Sequence, residues 1–228
     1  MPYAELLCLS CYSFLRGASH PQELVLRAAE LGYTAIAITD ECSLAGIVKA
    51  HVAARECGIQ LLVGSEFHLE EGLRLVALAP SRAAYSELSG LISLARRRSP
   101  KGEYRATLRD VIFHLKRCLL LWLPPDDGDD ARAYGLQLAR LCRDRVWLGV
   151  SQLLGNDELA RYHRLHGLAT ACKLPMVACG DVQMHSPDRK PLHDVFCALR
   201  HNTSIQQLGK RRLGNSCLLY TSDAADEH

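Results

Sequence analysis

Residues 35–46 read AIAITDECSLAG. A short β-branched apolar run, Ala35-Ile36-Ala37-Ile38-Thr39, changes abruptly to Asp40-Glu41, and Cys42-Ser43 then lead to a helix beginning near Leu44. The apolar run predicts a buried strand, and the polar switch puts two carboxylates at its C-terminal end, just ahead of a helix. In an α/β barrel that rim is where loops carry chemistry. The rest of the chain repeats this plan.

Working outward, strands are expected over 4–9, 35–39, 60–66, 73–79, 118–123, 145–150 and 175–179. Helices are expected from Ser19-His20-Pro21 to Gly32, with Ser19 as N-cap, and over 44–57, 81–98, 107–114, 130–142, 156–172 and 187–200. Glu70-Glu71-Gly72 between the third and fourth strands is too short for a helical crossover, so that pair should be an antiparallel hairpin. Seven strands mostly separated by helices give an α/β fold, a distorted seven-stranded (β/α) barrel with a largely parallel sheet. Residues 1–213 form one domain.

The chain has 228 residues and is 48% hydrophobic, enough for a sizeable core. Its 27 basic and 25 acidic residues leave a net charge of +2, which argues neither for nor against a nucleic-acid partner. The first residues lack the basic start of a signal peptide, and the apolar run over 118–123 is far below the roughly 20 residues needed to span a bilayer. A cytoplasmic protein without a membrane partner is expected. Most of the ten cysteines sit singly in strand-like or helix-like patterns, as reduced small hydrophobes would. Cys8 and Cys11 form a lone CxxC, with no second pair or histidine partner at zinc-ligand spacing. Arg96-Arg97-Arg98 reads as a solvated helix end whose cations suit the dipole.

Four strand ends carry polar groups: Leu7-Cys8-Leu9-Ser10, Asp40-Glu41, Glu66 with His68 two residues on, and Asp181-Val182-Gln183-Met184-His185. In an extended segment Asp181, Gln183 and His185 would project to one face. Asp40, Glu41, Glu66, Asp181 and His185 form an oxygen-and-nitrogen set suited to zinc or manganese, which would activate water against a phosphate ester. The competing reading has the same groups cap helices and loops, and the lack of a tight histidine cluster favours it. Pro125-Asp126-Asp127-Gly128-Asp129-Asp130 superficially resembles the Asp-x-Asp of a polymerase palm but reads as a solvated acidic turn, without a flanking strand.

The segment YAELLCLSCYSFLRGASHPQELVLRAAELGYTAIAITDECSLAGIVKAH, with VGSEFHL, LPMVACGDVQMH and LHDVFCALRHNTSI, resembles the start of bacterial family C DNA polymerases, above all their error-prone DnaE-type branch. The resemblance covers roughly 3–213 and implies the N-terminal PHP (polymerase and histidinol phosphatase) domain. It implies a parent that adds deoxynucleotides to a primer and copies damaged templates, using Mg2+ in a palm absent from this chain. DNA, deoxynucleotides, the other polymerase domains and replication or mutasome proteins would be its partners.

Intact PHP rims bind up to three metal ions and hydrolyse phosphate esters. Here Leu7-Cys8-Leu9 stands where the family has His-x-His or His-x-Asp. Glu41 replaces the histidine of Thr-Asp-His, Arg74 another histidine, and Gln183 the histidine of Asp-x-His. The resemblance therefore implies a degenerate site with little or no zinc or manganese and no catalytic residues, its carboxylates free to pair with nearby arginines. The alternative is a free-standing metal-dependent phosphoesterase or 3'-5' exonuclease. Residues 214–228 break the periodic pattern, and CLLYTSDAADE resembles adapter read-through, so this tail is expected to be non-native or disordered.

Overall fold

A computed structural model describes residues 3–125, 130–151 and 158–214. The acidic segment 126–129, the helix start expected at 156–157 and the tail from Asn215 lie outside the described residues. Strands β1 (Ala4–Glu5), β2 (Ala35–Ile38), β3 (Gln60–His68), β4 (Arg74–Leu78), β5 (Leu119–Leu123), β6 (Val146–Val150) and β7 (Met176–Ala178) lie in one sheet in sequence order. Neighbours are parallel except around β4, which runs against both β3 and β5. The reversal comes from the expected short turn. Leu69 N–H donates to Leu73 O at 2.8 Å, and Gly72 takes φ +81°, a conformation that costs glycine little.

The first strand is shorter than its apolar pattern suggests. Glu5 Oε1 accepts the N–H groups of Leu7 (2.9 Å) and Gly180 (2.8 Å), so a side chain takes donors that a ladder would use. The chain then re-enters the sheet through a Cys8–Val182 bridge, with Leu9 N–H to Val182 O at 2.8 Å and Val182 N–H to Leu7 O at 2.9 Å. This bridge joins the first strand's extension to the chain beyond β7 and curls the sheet into a barrel.

Strand alternation sorts the core. Leu7, Ala37, Val76, Leu78, Leu121 and Leu123 fill the barrel interior. Ile36 and Ile38 point outward under α1 (Pro21–Glu30) and α2 (Ile47–Cys57), against Leu24, Val25, Ala50 and Ala53. Leu75, Ala77, Leu120, Trp122 and Leu148 meet α3 (Arg82–Arg97), α4 (Leu108–His114), α5 (Ala131–Leu141) and α6 (Glu158–Cys172). Helix α7 (Lys190–Arg200) follows a single 3-10 turn. Full burial of each large side chain contributes about 1.5–3 kcal/mol.

Besides α7, expected from 187 but preceded by the 3-10 turn Pro187–Arg189, two helix starts differ from expectation. The N-cap of α1 is His20, whose N–H donates to Glu23 Oε2 at 2.7 Å, because Ser19 Oγ is engaged with His185. α2 begins three residues later than the pattern suggests, after a turn in which Cys42 adopts φ +45°. The described cysteines are all free thiols, most of them buried. No helix among the described residues is long and apolar enough to cross a membrane.

Candidate functional site

The ionisable groups gather at the C-terminal ends of the parallel strands. The opposite mouth holds an apolar cavity of about 220 Å³ lined by Leu6, Leu62, Leu78, Leu119, Leu121 and Trp147, among others. On the polar rim, Glu41 follows β2 and pairs with Glu66 of β3 in an isolated parallel bridge. Within the hairpin, His68 is opposite Arg74 and Glu66 opposite Val76, so Glu66, His68 and Arg74 share the face that carries Val76 into the barrel.

Arginine side chains lie between the carboxylates. Arg16 Nη1 donates to Glu41 Oε2 at 2.7 Å and Glu66 Oε1 at 2.6 Å, and lies 3.2 Å from His68 Nε2. His68 Nε2 is itself 2.6 Å from Glu66 Oε1. Arg74 Nη2 bridges Glu66 Oε2 (2.8 Å) and Asp181 Oδ1 (2.7 Å), while its Nη1 donates to Asp181 Oδ2 at 2.8 Å. Tyr104 OH closes the set on Glu41 Oε1 at 2.9 Å. Glu66 is wholly buried, whereas the His68 side chain is 48% exposed and opens the cluster to solvent. Burial alone would raise the Glu66 pKa, but Arg74 and then Arg16 outweigh it and hold the carboxyl well below its usual range. Burial likewise works against both guanidinium charges, and the facing carboxylates more than restore them.

A tightly determined loop brings Arg16 here. Ser13 N–H donates to Ser10 O, and Arg16 and Gly17 N–H donate to Ser13 O. Leu15 takes φ +58°, and a Cβ on Gly17 would lie 2.0 Å from Ser10 O. Asp40 fastens the same loop: Oδ1 accepts from Ser10 N–H (2.8 Å) and Ser13 Oγ (2.7 Å), and Oδ2 from Ser10 Oγ (2.6 Å). Burial raises the Asp40 pKa, while the serine hydroxyls pull it back. From the other side, Arg96 donates to the backbone carbonyls of Cys42 and Glu41, both at 3.2 Å, and lies over the Tyr104 ring.

Of the five residues singled out in the sequence, Glu41 and Glu66 come together, and Asp181 joins them through Arg74. Asp40 and His185 do not join them. Asp40 is committed to the serines, and His185 Nδ1 lies 2.8 Å from Ser19 Oγ. Nor do Asp181, Gln183 and His185 share a face. Asp181 adopts φ +51°, which breaks the extended alternation; Gln183 Oε1 pairs with His193 Nε2 at 2.8 Å on α7, and His185 with Ser19. His68 takes a place that sequence reasoning left outside the set, although its spacing from Glu66 on one strand signals a shared face. Glu41, Glu66 and His68 each offer a ligand atom, all within 4.8 Å of one another. Arg16 Nη1 contacts all three side chains.

A family model, the PHP domain, matches residues 5–124. The chain belongs to the PHP domain family. This PHP chain is 52% identical over 218 residues to the error-prone DNA polymerase of Teredinibacter turnerae, covering 94% of the chain and 21% of that relative. Against the error-prone DNA polymerase of Saccharophagus degradans the figures are 52% over 216 residues, 95% and 21%. The PHP chain thus spans about a fifth of the length of these curated relatives. Among solved structures, an amidohydrolase from Chromobacterium violaceum superposes with a TM-score of 0.62 at 16% identity, over 79% of this chain and 87% of that one. A structure from Bifidobacterium adolescentis, assigned as a metal-dependent phosphoesterase, gives 0.58 at 19%, over 80% and 89%. These two likenesses establish the barrel fold.

Proposed function

We propose that this chain is the N-terminal PHP domain of an error-prone DNA polymerase, in which it serves as a structural module rather than a hydrolase. The parent would extend primers across damaged template in the cytoplasm. Its Mg2+-dependent chemistry, its DNA and deoxynucleotide sites and its contacts with replication or mutasome proteins would belong mainly to regions beyond this chain. The similarity to error-prone polymerases over almost the whole chain supports that parentage.

One observation carries the structural role. Arg16 and Arg74 take up oxygens of Glu41, Glu66 and Asp181. Metal chemistry on this rim would require a divalent cation at the ligand atoms of Glu41, Glu66 and His68, where Arg16 already supplies the compensating positive charge. The cation would have to displace a guanidinium that is 11% exposed, and would meet a second one at Arg74. Leu7 and Leu9, both fully buried, offer no ligand atom. This donor set does not suit a resident ion. In this reading the rim is a charge-paired clamp that ties the 10–17 loop, β3, β4 and the segment after β7 together.

Elemental analysis of the purified chain after dialysis against zinc and manganese tests the reading, together with phosphatase and primer-extension assays. The expected result is no stoichiometric metal, no metal-stimulated phosphate release and no nucleotide incorporation. Stoichiometric ion with metal-stimulated hydrolysis would instead support the second reading, a metal-dependent phosphoesterase, for which the closeness of Glu41, Glu66 and His68 speaks.

A further inference from the structure

The fold splits the CxxC motif. Cys8 lies in the strand bridge to Val182 and packs with Leu24 and Val25 under α1, with no exposure. Burial raises its thiol well above the usual cysteine range, which makes it an inert core residue. Cys11, three residues on, has left the sheet and is partly exposed. Its Sγ lies 3.1 Å from Nδ1 of the exposed His20. Among the described cysteines it is the one whose sulfur meets a histidine, and Cys57 is the other that is partly exposed.

The backbone holds both members of this pair. Cys11 N–H donates to Ser19 O at 2.8 Å, which sets the two residues' main chains against one another. His20 is the N-cap of α1, and Glu23 Oε2 accepts its N–H. A nucleophile and a base therefore stand within hydrogen-bond reach before any ligand arrives. Burial and then Asp40 raise the Cys11 thiol, Lys49 pulls it back, and Glu23 adds a smaller push upward. The resting group is thus a thiol, and its reaction depends on a proton acceptor. With the ring proton on Nε2, Cys11 Sγ–H donates to His20 Nδ1, which is that acceptor. Asp40 is buried on its serines and Glu23 is paired with Arg189. Lys49, exposed on α2 beside the Tyr12 ring, forms no ion pair among the described residues and leaves a cation next to the thiol.

We infer that Cys11 is a thiol-exchange site, with His20 as its base, that takes acidic low-molecular-weight disulfides. Sγ attacks one sulfur of the disulfide as its proton passes to His20 Nδ1. The new S–S bond to Cys11 forms, the ligand's own S–S bond breaks, and the leaving thiolate takes the proton from His20. Cys11 is oxidised to a mixed disulfide, and the other half of the ligand is reduced to a free thiol. Lys49 favours a ligand that carries carboxylates. The site lies on the loop that carries Arg16.

Oxidised glutathione is the probe, on this chain carrying Cys217→Ser because Cys217 lies outside the described residues. Intact mass and peptide mapping follow each cysteine with time, from mild acid to mild base. The expected result is a single adduct at Cys11, removed by dithiothreitol and formed at least about tenfold faster than at Cys57. His20→Asn keeps a helix-capping oxygen but no base. It is expected to slow Cys11 at least about tenfold, to remove a step from its pH–rate profile and to leave Cys57 unchanged. Lys49→Ala should slow oxidised glutathione about threefold and leave the uncharged 2-hydroxyethyl disulfide unaffected. Similar rates at Cys11 and Cys57, or a Cys11 rate unchanged in folded His20→Asn, overturn the site. Equal effects of Lys49→Ala on both disulfides overturn the acidic ligand. Should His20→Asn not fold, the ratio of Cys11 to Cys57 rates in the chain with His20 decides, and a ratio below about three overturns the site.

Discussion

Arg16 Nη1 lies 2.6 Å from Glu66 Oε1, and the Glu66 side chain has no exposure to solvent. Removing one partner of a buried pair leaves the other charge short of compensation, which is more costly than never having built the pair. Arg16→Ala is therefore expected to destabilise the domain by about 3 kcal/mol, read from urea denaturation. It also vacates the position in contact with Glu41, Glu66 and His68. Millimolar zinc should recover part of that loss in Arg16→Ala and none of it in Arg16→Ala combined with His68→Ala. A loss below about 0.5 kcal/mol would mean that the clamp is not structural.

Arg74 holds Asp181 with two parallel hydrogen bonds and Glu66 with a third. Lysine keeps the charge but not the fork, so Arg74→Lys is expected to cost about 1–2 kcal/mol. Asp181 adds a backbone demand, since φ is +51° there. Asn visits this region readily and alanine does not, so Asp181→Asn should be less destabilising than Asp181→Ala by about 1 kcal/mol. Equal losses in thermal or chemical melts would remove the backbone argument.

The strand ends were legible in the sequence because a parallel strand buried on both faces leaves polar residues only where it stops, as Asp40-Glu41 does after Ile38. The hairpin was legible because residues 69–73 cannot span a crossover. The site itself was only half legible. Glu66 and His68 can be assigned to one face by counting twos along β3, and Arg74 is legible through the resemblance, as the residue that stands where the family has a histidine. Arg16 could not be anticipated, because it sits in a loop whose course depends on Asp40 bonding Ser10 and Ser13, about thirty residues away in sequence. Tyr104 arrives from the connection between α3 and α4 without a local pattern. The partners of Asp40 and His185, serines in both cases, were not legible, because residue type shows what a group can bind and not which neighbour it meets.

Gly17 tests how tightly the arginine loop is determined. A Cβ there would lie 2.0 Å from Ser10 O and 2.3 Å from Ser10 C, both backbone atoms that cannot swing aside. Gly17→Ala must therefore move the loop and, with it, Arg16. The expected outcome is a loss of about 3 kcal/mol, the upper end for overpacking, with exchange broadening of the Glu41 and Glu66 amide resonances. Gly90, on α3, has open space around the same atom, and Gly90→Ala should be neutral or stabilising by up to about 1 kcal/mol. A Gly17→Ala variant as stable as the unsubstituted chain would show that the loop takes a Cβ at position 17 without moving Arg16.

His193 should make the domain's stability sensitive to mild acid. The ring is 4% exposed, and burial, followed by the charges of Lys190 and Arg200, lowers its pKa from 6.5 to about 4, with Asp194 opposing. An unfolded chain binds this proton near 6.5 and the folded one only near 4. Between those values the unfolded state holds more protons, so stability is complete above 6.5 and is lost as pH falls toward 4. From about pH 7.5 to about pH 5 this single group is expected to remove about 2 kcal/mol. His193→Gln cannot titrate and its amide can still reach Gln183 Oε1, so its denaturation midpoint should fall less over the same interval. Parallel pH profiles for the two proteins would show that His193 charges without leaving its buried position, and that Asp194 outweighs the burial.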